Sequence, residues 1–312
     1  MEPKSLFEWR DVVLQYVGFV SSFWILGAVG FRYGILRGKV SAEADSPSTS
    51  VLRSSAAQAA GVGLIGVALG VVSLFESLSK RAESKHVTIG DALAAGGVTS
   101  YAQVALLATL LVAFALAWRR VSIGWPIAGV AAIALALRGI LSGRLGGMVN
   151  PLHVLGASLW LGTLFVLVFC GIGSLVRASL PMEQREQAVA EMVSRFSTVG
   201  LTSAALLGIT GLITSWTHLN PLASLWTTPY GYALLTKLGI VAIVFGLGAW
   251  NWKRVGPALG ADGGALMIRR TATTELAFAG LVLLVTSILV SLPSPKAPAA
   301  GSAHPAKVAE EE

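Results

Sequence analysis

The chain has 312 residues, of which 54% are hydrophobic and only 12% are charged, and its mean hydropathy is +0.71. These values lie far outside the range of ordinary soluble domains and indicate a protein that is embedded in a lipid bilayer. The net charge of +7 does not indicate nucleic-acid binding, because Lys and Arg occur in short clusters between apolar runs. We therefore predict an integral membrane protein whose surroundings are lipid and which has no nucleic-acid partner.

Eight apolar runs are each long enough to cross the roughly 30 Å hydrocarbon layer as an α-helix. The expected fold is all-α, a polytopic membrane bundle of eight transmembrane helices. The break between the third and fourth runs rests on the short segment 118–122 alone. The runs lie at about 11–33, 54–75, 99–118, 121–141, 151–176, 196–218, 230–252 and 270–291.

The connections that follow runs 1, 3, 5 and 7 contain more Lys and Arg than the connections on the opposite side. The positive-inside rule then places both chain termini outside the cytoplasm. We expect an N-terminal four-helix membrane half over 1–150 and a second four-helix membrane domain over 151–292. Residues 293–312 are rich in Pro, Ala and charged residues and are expected to form a disordered extracytoplasmic tail.

Two histidines are expected at the outer membrane face. His153 lies in the first turn of the fifth run and His218 closes the sixth, so antiparallel packing of these helices could bring the imidazoles within ligand distance. Met148 and His86 are expected at the same face, and imidazole and thioether ligands suit copper ions. The chain has no self-sufficient metal motif, so any site must be assembled between helices. The alternative is that these histidines are interfacial side chains with hydrated tips.

Two of the charged residues within the predicted spans, Lys237 and Glu275, require a physical explanation. Lys237 lies about 10 Å into the membrane after Pro229, and it either faces the bundle or extends its ammonium group towards the interface. Glu275 is expected to begin the eighth helix near the cytoplasmic face. There its carboxylate would interact with the helix dipole and with cations such as Lys253, Arg254 or Arg269.

The aromatic residues at predicted span ends, among them Trp125 and Tyr230, are expected to be interface anchors. Trp160 differs because it lies on the same helical face as His153, two turns deeper, where it either forms the floor of a pocket or packs in the bundle. The single cysteine, Cys170, is expected to be a small core residue. Two pairs of glycines are expected to let helices approach closely, Gly66 with Gly70 and Gly208 with Gly211.

Several blocks in the second half resemble the copper resistance protein D (CopD) family, in both order and spacing. The resemblance covers residues 151–293, and Thr-Pro-Tyr-Gly with its downstream lysine is its most specific part. The blocks are "HVLGASLWLGTL" from His153, "RFSTVGLTSAALLGITGLITSW" from Arg195, "LWTTPYGYALLTKLG" from Leu225, Asn251, Pro257 and "RRTATTELAFAGLVLLVTSILV" from Arg269.

The resemblance implies a multi-pass protein of the bacterial inner (plasma) membrane that moves copper ions towards the cytoplasm or contributes to copper tolerance. A periplasmic copper-binding protein would then be a partner. Unlike many relatives, this chain is expected to lack a fused periplasmic copper-binding domain, and the sequence has few methionines. The positions that match the family pattern are His153, Trp160, Arg195, Phe196, Gly211, Thr228, Pro229, Tyr230, Gly231, Lys237, Asn251 and Glu275.

Three function classes remain open from the sequence. The first is copper transport, with His153, His218, Met148 and His86 as candidate ligands, and with Trp160, Tyr230, Lys237 and Glu275 as pathway or structural residues. The second is a membrane redox protein in which His153 and His218 ligate a haem between facing helices. The third is a scaffold without a ligand. No catalytic residues are predicted, and we expect a protein that is not an enzyme.

Overall fold

The structure, a computed structural model, describes residues 8–37, 47–138, 149–218, 223–251, 253 and 264–292. Within these ranges the chain forms helices and short connections and no strand, which confirms the predicted all-α bundle. The predicted tail at 293–312 lies outside the described residues, as do Met148 and Arg254. The helices in chain order are α1 (Trp9–Gly30), α2 (Pro47–Lys85), α3 (Ile89–Ala95), α4 (Gly97–Trp118), α5 (Gly124–Leu137), α6 (Val149–Ala157), α7 (Thr163–Val166), α8 (Gly173–Arg177), α9 (Met182–His218), α10 (Ser224–Thr227), α11 (Pro229–Trp250) and α12 (Gly264–Ser291).

In the described ranges, three π-helical segments of five or six residues join or extend these helices. Phe31–Leu36 continues α1, while Ser158–Gly162 and Leu167–Ile172 join α6, α7 and α8 into one long helix, Val149–Arg177. The sequence gives no signal for these segments, because they differ from an α-helix only in how the backbone hydrogen bonds are paired. Each one changes the direction in which the following side chains project.

Within the described residues, seven helices are long and apolar enough to cross a membrane. The shorter apolar helix α5 has 14 residues. The predicted break before it is confirmed, because α4 ends at Trp118 and Arg120 adopts a positive φ of 64° before α5 begins at Gly124. Large apolar side chains such as Val98 and Leu201 are mostly exposed, as expected where lipid is the solvent. The chain is a multi-pass membrane protein.

Helix α1 crosses the long helix Val149–Arg177 at a contact between two glycines. A Cβ atom added at Gly27 or Gly162 would collide with the backbone of the opposite helix. The predicted role of Gly66 and Gly70 is confirmed, since both face Ser21 on α1. The prediction for Gly208 is wrong, because no atom of a described neighbouring residue lies within 4 Å of the Cβ position there.

The largest buried cluster joins the two predicted halves of the chain. It contains Ile25 and Phe114 from the first half together with Leu167 and Met192 from the second. Cys170 is buried in the same cluster, as predicted. The expectation that Trp125 anchors the interface is wrong: its side chain is only 5% exposed and meets Phe114 edge-on, with ring centroids 6.1 Å apart.

Two charged side chains tie α9 to the ends of other helices. The Arg195 guanidinium donates hydrogen bonds to the carbonyl of Ile35 (2.8 Å) and to the Glu191 carboxylate (2.6 Å). Glu186 is 2% exposed and accepts a hydrogen bond from the backbone N–H of Ala265 (2.9 Å), in the first turn of α12. A carboxylate at a helix N-terminus is stabilised there by the unpaired N–H groups and the helix dipole.

Candidate functional site

His153 packs against α9 and forms a hydrogen bond with a buried threonine. Its Nδ1 atom lies 2.9 Å from Oγ1 of Thr210, whose side chain belongs to a residue only 4% exposed. The imidazole also faces Gly211, where an added Cβ would lie 3.5 Å from Cε1 of the ring. The missing side chain at Gly211 therefore leaves room for the ring beside α9.

The hydrogen bonds of Thr210 determine which nitrogen of His153 carries the proton. The Thr210 hydroxyl donates its only proton to the carbonyl of Leu206, at 2.7 Å. Its oxygen is then left as an acceptor, so Nδ1 of His153 must be the donor in the 2.9 Å contact. In the neutral imidazole the other nitrogen, Nε2, consequently has a free lone pair, which is the form that binds a metal ion.

The second histidine lies further along α9 towards its C-terminus. His218 is seven residues after Gly211, which corresponds to about 11 Å of helix at 1.5 Å per residue. The His153 ring is thus about two turns deeper in the bundle than the backbone of His218. The side chain of His218 and the whole of Met148 lie outside the described residues, so joint ligation by His153, His218 and Met148 stays a prediction.

His86 occupies the connection between α2 and α3. It is exposed, it adopts a positive φ of 53°, and its backbone N–H bonds the carbonyl of Glu83 at 3.3 Å. Residues in this left-handed conformation commonly end helices, so the local geometry accounts for a turn here. Within the described part of the chain no hydrogen bond links its imidazole to His153, and its role as a ligand stays a prediction.

The charged side chain that influences His153 electrostatically is Lys237. Its side chain is half-buried in α11, and its positive charge acts on the His153 imidazole. This arrangement favours the bundle-facing alternative over a lysine that extends its ammonium group towards the interface. A fixed ammonium at this position opposes any cation that approaches the imidazole.

The start of α11 is fixed by its sequence. Thr228 is the N-cap, and its hydroxyl accepts a hydrogen bond from the N–H of Gly231 (3.0 Å), with Pro229 in the first turn. Gly231 lies closely against the backbone of α10, because a Cβ atom added there would collide with the carbonyl of Ser224. Tyr230 is half-buried and packs on a small cluster formed by α11 and α12.

Trp160 also lies against α9, deeper than His153. Its indole faces Gly200, and its ring centroid is 5.0 Å from that of Phe245 on α11. His153 and Trp160 were predicted to lie on one face of their helix. In agreement, the rings of both residues face α9. Trp160 fills the space between α9 and α11, which is the bundle-packing alternative.

Glu275 is buried within α12, with a residue exposure of 7%. The expectation that it begins its helix is wrong, because α12 begins at Gly264, about three turns earlier. Its carboxylate accepts a hydrogen bond from the side-chain amide of Asn251, at the end of α11. Among the described residues it forms no ion pair with Lys253 or Arg269, and its part in a pathway stays a prediction.

Sequence reasoning missed two polar partners, Thr210 of His153 and Asn251 of Glu275. Both lie on neighbouring helices, so no spacing within one helix could reveal them. Thr210 could have been suspected because it precedes Gly211, a position that matches the family pattern. In the described ranges no group of three or more His, Cys, Asp or Glu side chains is arranged to hold a metal ion. A copper ion at His153 would therefore need ligands from outside those ranges, from other residue types or from water.

The comparisons with known proteins concern the second half of the chain. Residues 190–289 match the family model described as CopD, copper resistance protein D. A curated relative, the copper transport protein CutJ of Bacillus subtilis (strain 168), is 32% identical over 162 residues. The match covers 49% of this chain and 26% of that relative, so the chain corresponds to about a quarter of the relative's length.

Residues 190–289 are thus similar to the copper resistance protein D family, and the curated relative is a copper transport protein by its name. The family predicted from the sequence blocks is thereby confirmed. The matched range of the CopD model contains Thr210, Lys237 and Glu275, and it begins after His153. No solved structure matches the chain. Neither match is to a haem protein, so the haem alternative gains no support.

Proposed function

We propose that this protein moves copper ions across a bacterial inner (plasma) membrane, with Nε2 of His153 as a ligand on the path. The observation that carries the proposal is the hydrogen bond between His153 and Thr210, which leaves Nε2 as the free nitrogen inside a membrane bundle. The CopD match and the printed name of CutJ support copper as the ion. We infer uptake towards the cytoplasm, with copper delivered by a periplasmic copper-binding protein.

The depth of His153 suggests a stepwise path in place of one shared site. His218 ends α9, and Gly211, which contacts the His153 ring, lies about two turns earlier. In this proposal His218 and Met148 receive copper near the outer face and His153 receives it next. An ion that is conducted must bind each position weakly enough to leave it. Repulsion by Lys237 would keep binding at His153 weak enough for release.

The first test removes the imidazole. His153→Ala should abolish copper-dependent accumulation in cells, measured with radioactive copper, while the amount of protein in the membrane stays near that of the wild type. His304→Ala, in the C-terminal tail, is the matched histidine control and should leave accumulation unchanged. Metal analysis of the purified protein should find copper, and its absorption spectrum should lack a Soret band. Unchanged accumulation in His153→Ala, or a Soret band, would contradict the proposal.

A second test addresses the ammonium of Lys237, whose charge acts on the imidazole. Lys237→Met keeps the length and apolar stem of the side chain but removes the charge. If Lys237 weakens copper binding at His153, this variant should retain copper longer than the wild type and transport it more slowly. Equal retention and equal transport would show that Lys237 has a structural role alone.

A further inference from the structure

The N-terminal half contains a polar cavity that is separate from the His153 site. It lies between α1, α2, α4 and α5 and has a volume of about 90 Å³. All of its lining residues precede residue 139, so it shares no side chain with the copper path proposed above. Its polar lining consists of Ser21, Ser22, Ser73, Gln103 and Arg138.

The hydrogen bonds around the cavity leave an excess of donors. Ser21 and Ser22 donate their protons to the backbone carbonyls of Gly66 (2.8 Å) and Gly18 (3.1 Å). Arg138 donates through Nη1 to the carbonyl of Leu135, at 2.7 Å, and this is one of the five N–H groups of the guanidinium. Within the described residues the side chains of Ser73 and Gln103 form no hydrogen bond, and no carboxylate lies within ion-pair distance of Arg138.

The charge of Arg138 determines which ligand suits the cavity. A half-buried guanidinium at the end of an apolar helix is costly unless an anion or other acceptors pair with it. Its planar array of N–H groups matches the two oxygens of a carboxylate or phosphate, and the Gln103 amide and Ser73 hydroxyl add further donors. Copper ions would be repelled. One water molecule needs roughly 10–15 Å³ on this measure, so a cavity of about 90 Å³ has room for a small oxyanion.

We propose that this cavity binds an oxyanion, with Arg138 as its cation and Gln103 and Ser73 as further donors. The oxyanion is either a small soluble anion, such as phosphate or acetate, or the phosphate of a lipid headgroup. The chemistry of recognition is the same in both cases. The source is distinguished by experiment.

The first experiment uses the full chain purified in detergent, with inorganic phosphate and acetate as probes at constant ionic strength. The wild type should show a saturable rise in melting temperature, and Arg138→Gln should lose it. Arg138→Lys keeps the charge without the planar array and should weaken binding about tenfold or more, as should Gln103→Leu. Arg119→Gln, which removes an exposed arginine at the end of α4, should bind like the wild type.

The second experiment replaces the soluble probes with lipid. Phosphatidylglycerol added to the detergent-solubilised protein should stabilise the wild type and not Arg138→Gln if the oxyanion is a headgroup. A shift with phosphate or acetate alone identifies a soluble ligand, and either result supports the proposal. Equal shifts in the wild type and in Arg138→Gln, or no shift with any probe, would overturn it. If Arg138→Gln does not fold, the same comparison is made with Arg138→Lys and Gln103→Leu.

Discussion

Thr210 has one hydroxyl proton, and the carbonyl of Leu206 accepts it at 2.7 Å. The consequence appears on another helix, where the imidazole of His153 must donate through Nδ1 and leave Nε2 free. A partner that fixes the ring orientation in this way commonly contributes a factor of 10 to 100 to metal affinity. Thr210 is therefore a positioning residue for the proposed copper ligand.

Replacement of Thr210 tests this role. Thr210→Val keeps the side-chain shape but removes the hydroxyl, so copper binding to the purified protein should weaken by about tenfold. Thr202→Val is the matched control, because Thr202 is exposed on the same helix and also bonds a backbone carbonyl one turn earlier. Isothermal titration with copper would measure both affinities. Equal affinities in the two variants would show that Thr210 does not orient the ligand.

At the residue scale the sequence identified His153 but not its partner. Three described threonines of α9, Thr202, Thr210 and Thr214, each bond the carbonyl four residues earlier, and only the packing of the bundle selects Thr210. The position of Glu275 within its helix was also not predictable from the sequence, because it depends on a contact with another helix. Its helix begins at Gly264, earlier than the apolar run suggested, because the first turn of α12 is capped by Glu186 from a different helix.

At the scale of elements, the contact between α1 and the long helix Val149–Arg177 depends on glycine. Gly162→Ala would place a methyl group against the carbonyl of Phe23, and overpacking of this kind costs about 1–3 kcal/mol of folding free energy. Gly208→Ala is the matched control, since no atom from the described part of a neighbouring helix lies within 4 Å of its added Cβ. Thermal unfolding in detergent should show a loss of stability for Gly162→Ala only. Equal melting temperatures for both variants would contradict this packing.

The two glycine pairs named from the sequence show how much a small-residue pattern can predict. Gly66 with Gly70 and Gly208 with Gly211 have the same kind of signal in the sequence, yet only the first pair faces another helix closely at both positions. A small residue permits close approach but does not specify the neighbour. The neighbour depends on the order in which helices pack, which is set by contacts distant in sequence.

The short helix α3, outside the predicted spans, has a pH-dependent cap. The hydrogen bond from the Thr88 hydroxyl to the Asp91 carboxylate (2.7 Å), together with one from the Thr88 backbone N–H, holds the pKa of Asp91 below its ordinary value. A lowered pKa in the folded state means that the cap stabilises α3 fully above the ordinary aspartate pKa of about 4. That contribution is lost as the pH falls through the lowered pKa.

The expected outcome is a pKa that depends on Thr88. In an NMR titration of the Asp91 carboxyl carbon, Thr88→Ala should raise the pKa towards the ordinary value. Ser84→Ala, which removes a hydroxyl near the end of α2 that bonds the Arg81 carbonyl, should leave it unchanged. An identical Asp91 titration in wild type and Thr88→Ala would rule out the cap as the cause.

At the scale of the whole molecule, the buried core crosses the predicted boundary at residue 150. Ile25 of α1 and Leu167 of the long helix belong to one cluster, and α1 crosses that helix at Gly27. Hydropathy located the apolar helices because lipid imposes a minimum length on each span. It carries no information about which helices are neighbours. The division into two four-helix units therefore stays a prediction, although both halves contribute to one interior.

The orientation of the bundle is the remaining prediction, and α2 offers a sensitive test. This helix has 39 residues, or about 58 Å at 1.5 Å per residue, which exceeds the roughly 40–45 Å of a bilayer with its headgroups. Its two ends should lie on opposite sides of the membrane. The excess of Lys and Arg in the odd-numbered connections places the end near Ser48 in the cytoplasm and the end at Lys85 outside.

Cysteine labelling in intact cells would measure this orientation. In a Cys170→Ala background, which removes the only native thiol, Lys85→Cys should react with an impermeant maleimide without permeabilisation, as should Ser302→Cys in the tail. Ser48→Cys should react only after the membrane is opened. Labelling of Ser48→Cys alone in intact cells would reverse the orientation. It would also move His218 to the cytoplasmic face, so that copper would meet the histidine ligands from inside and the proposed direction of transport would have to be reversed.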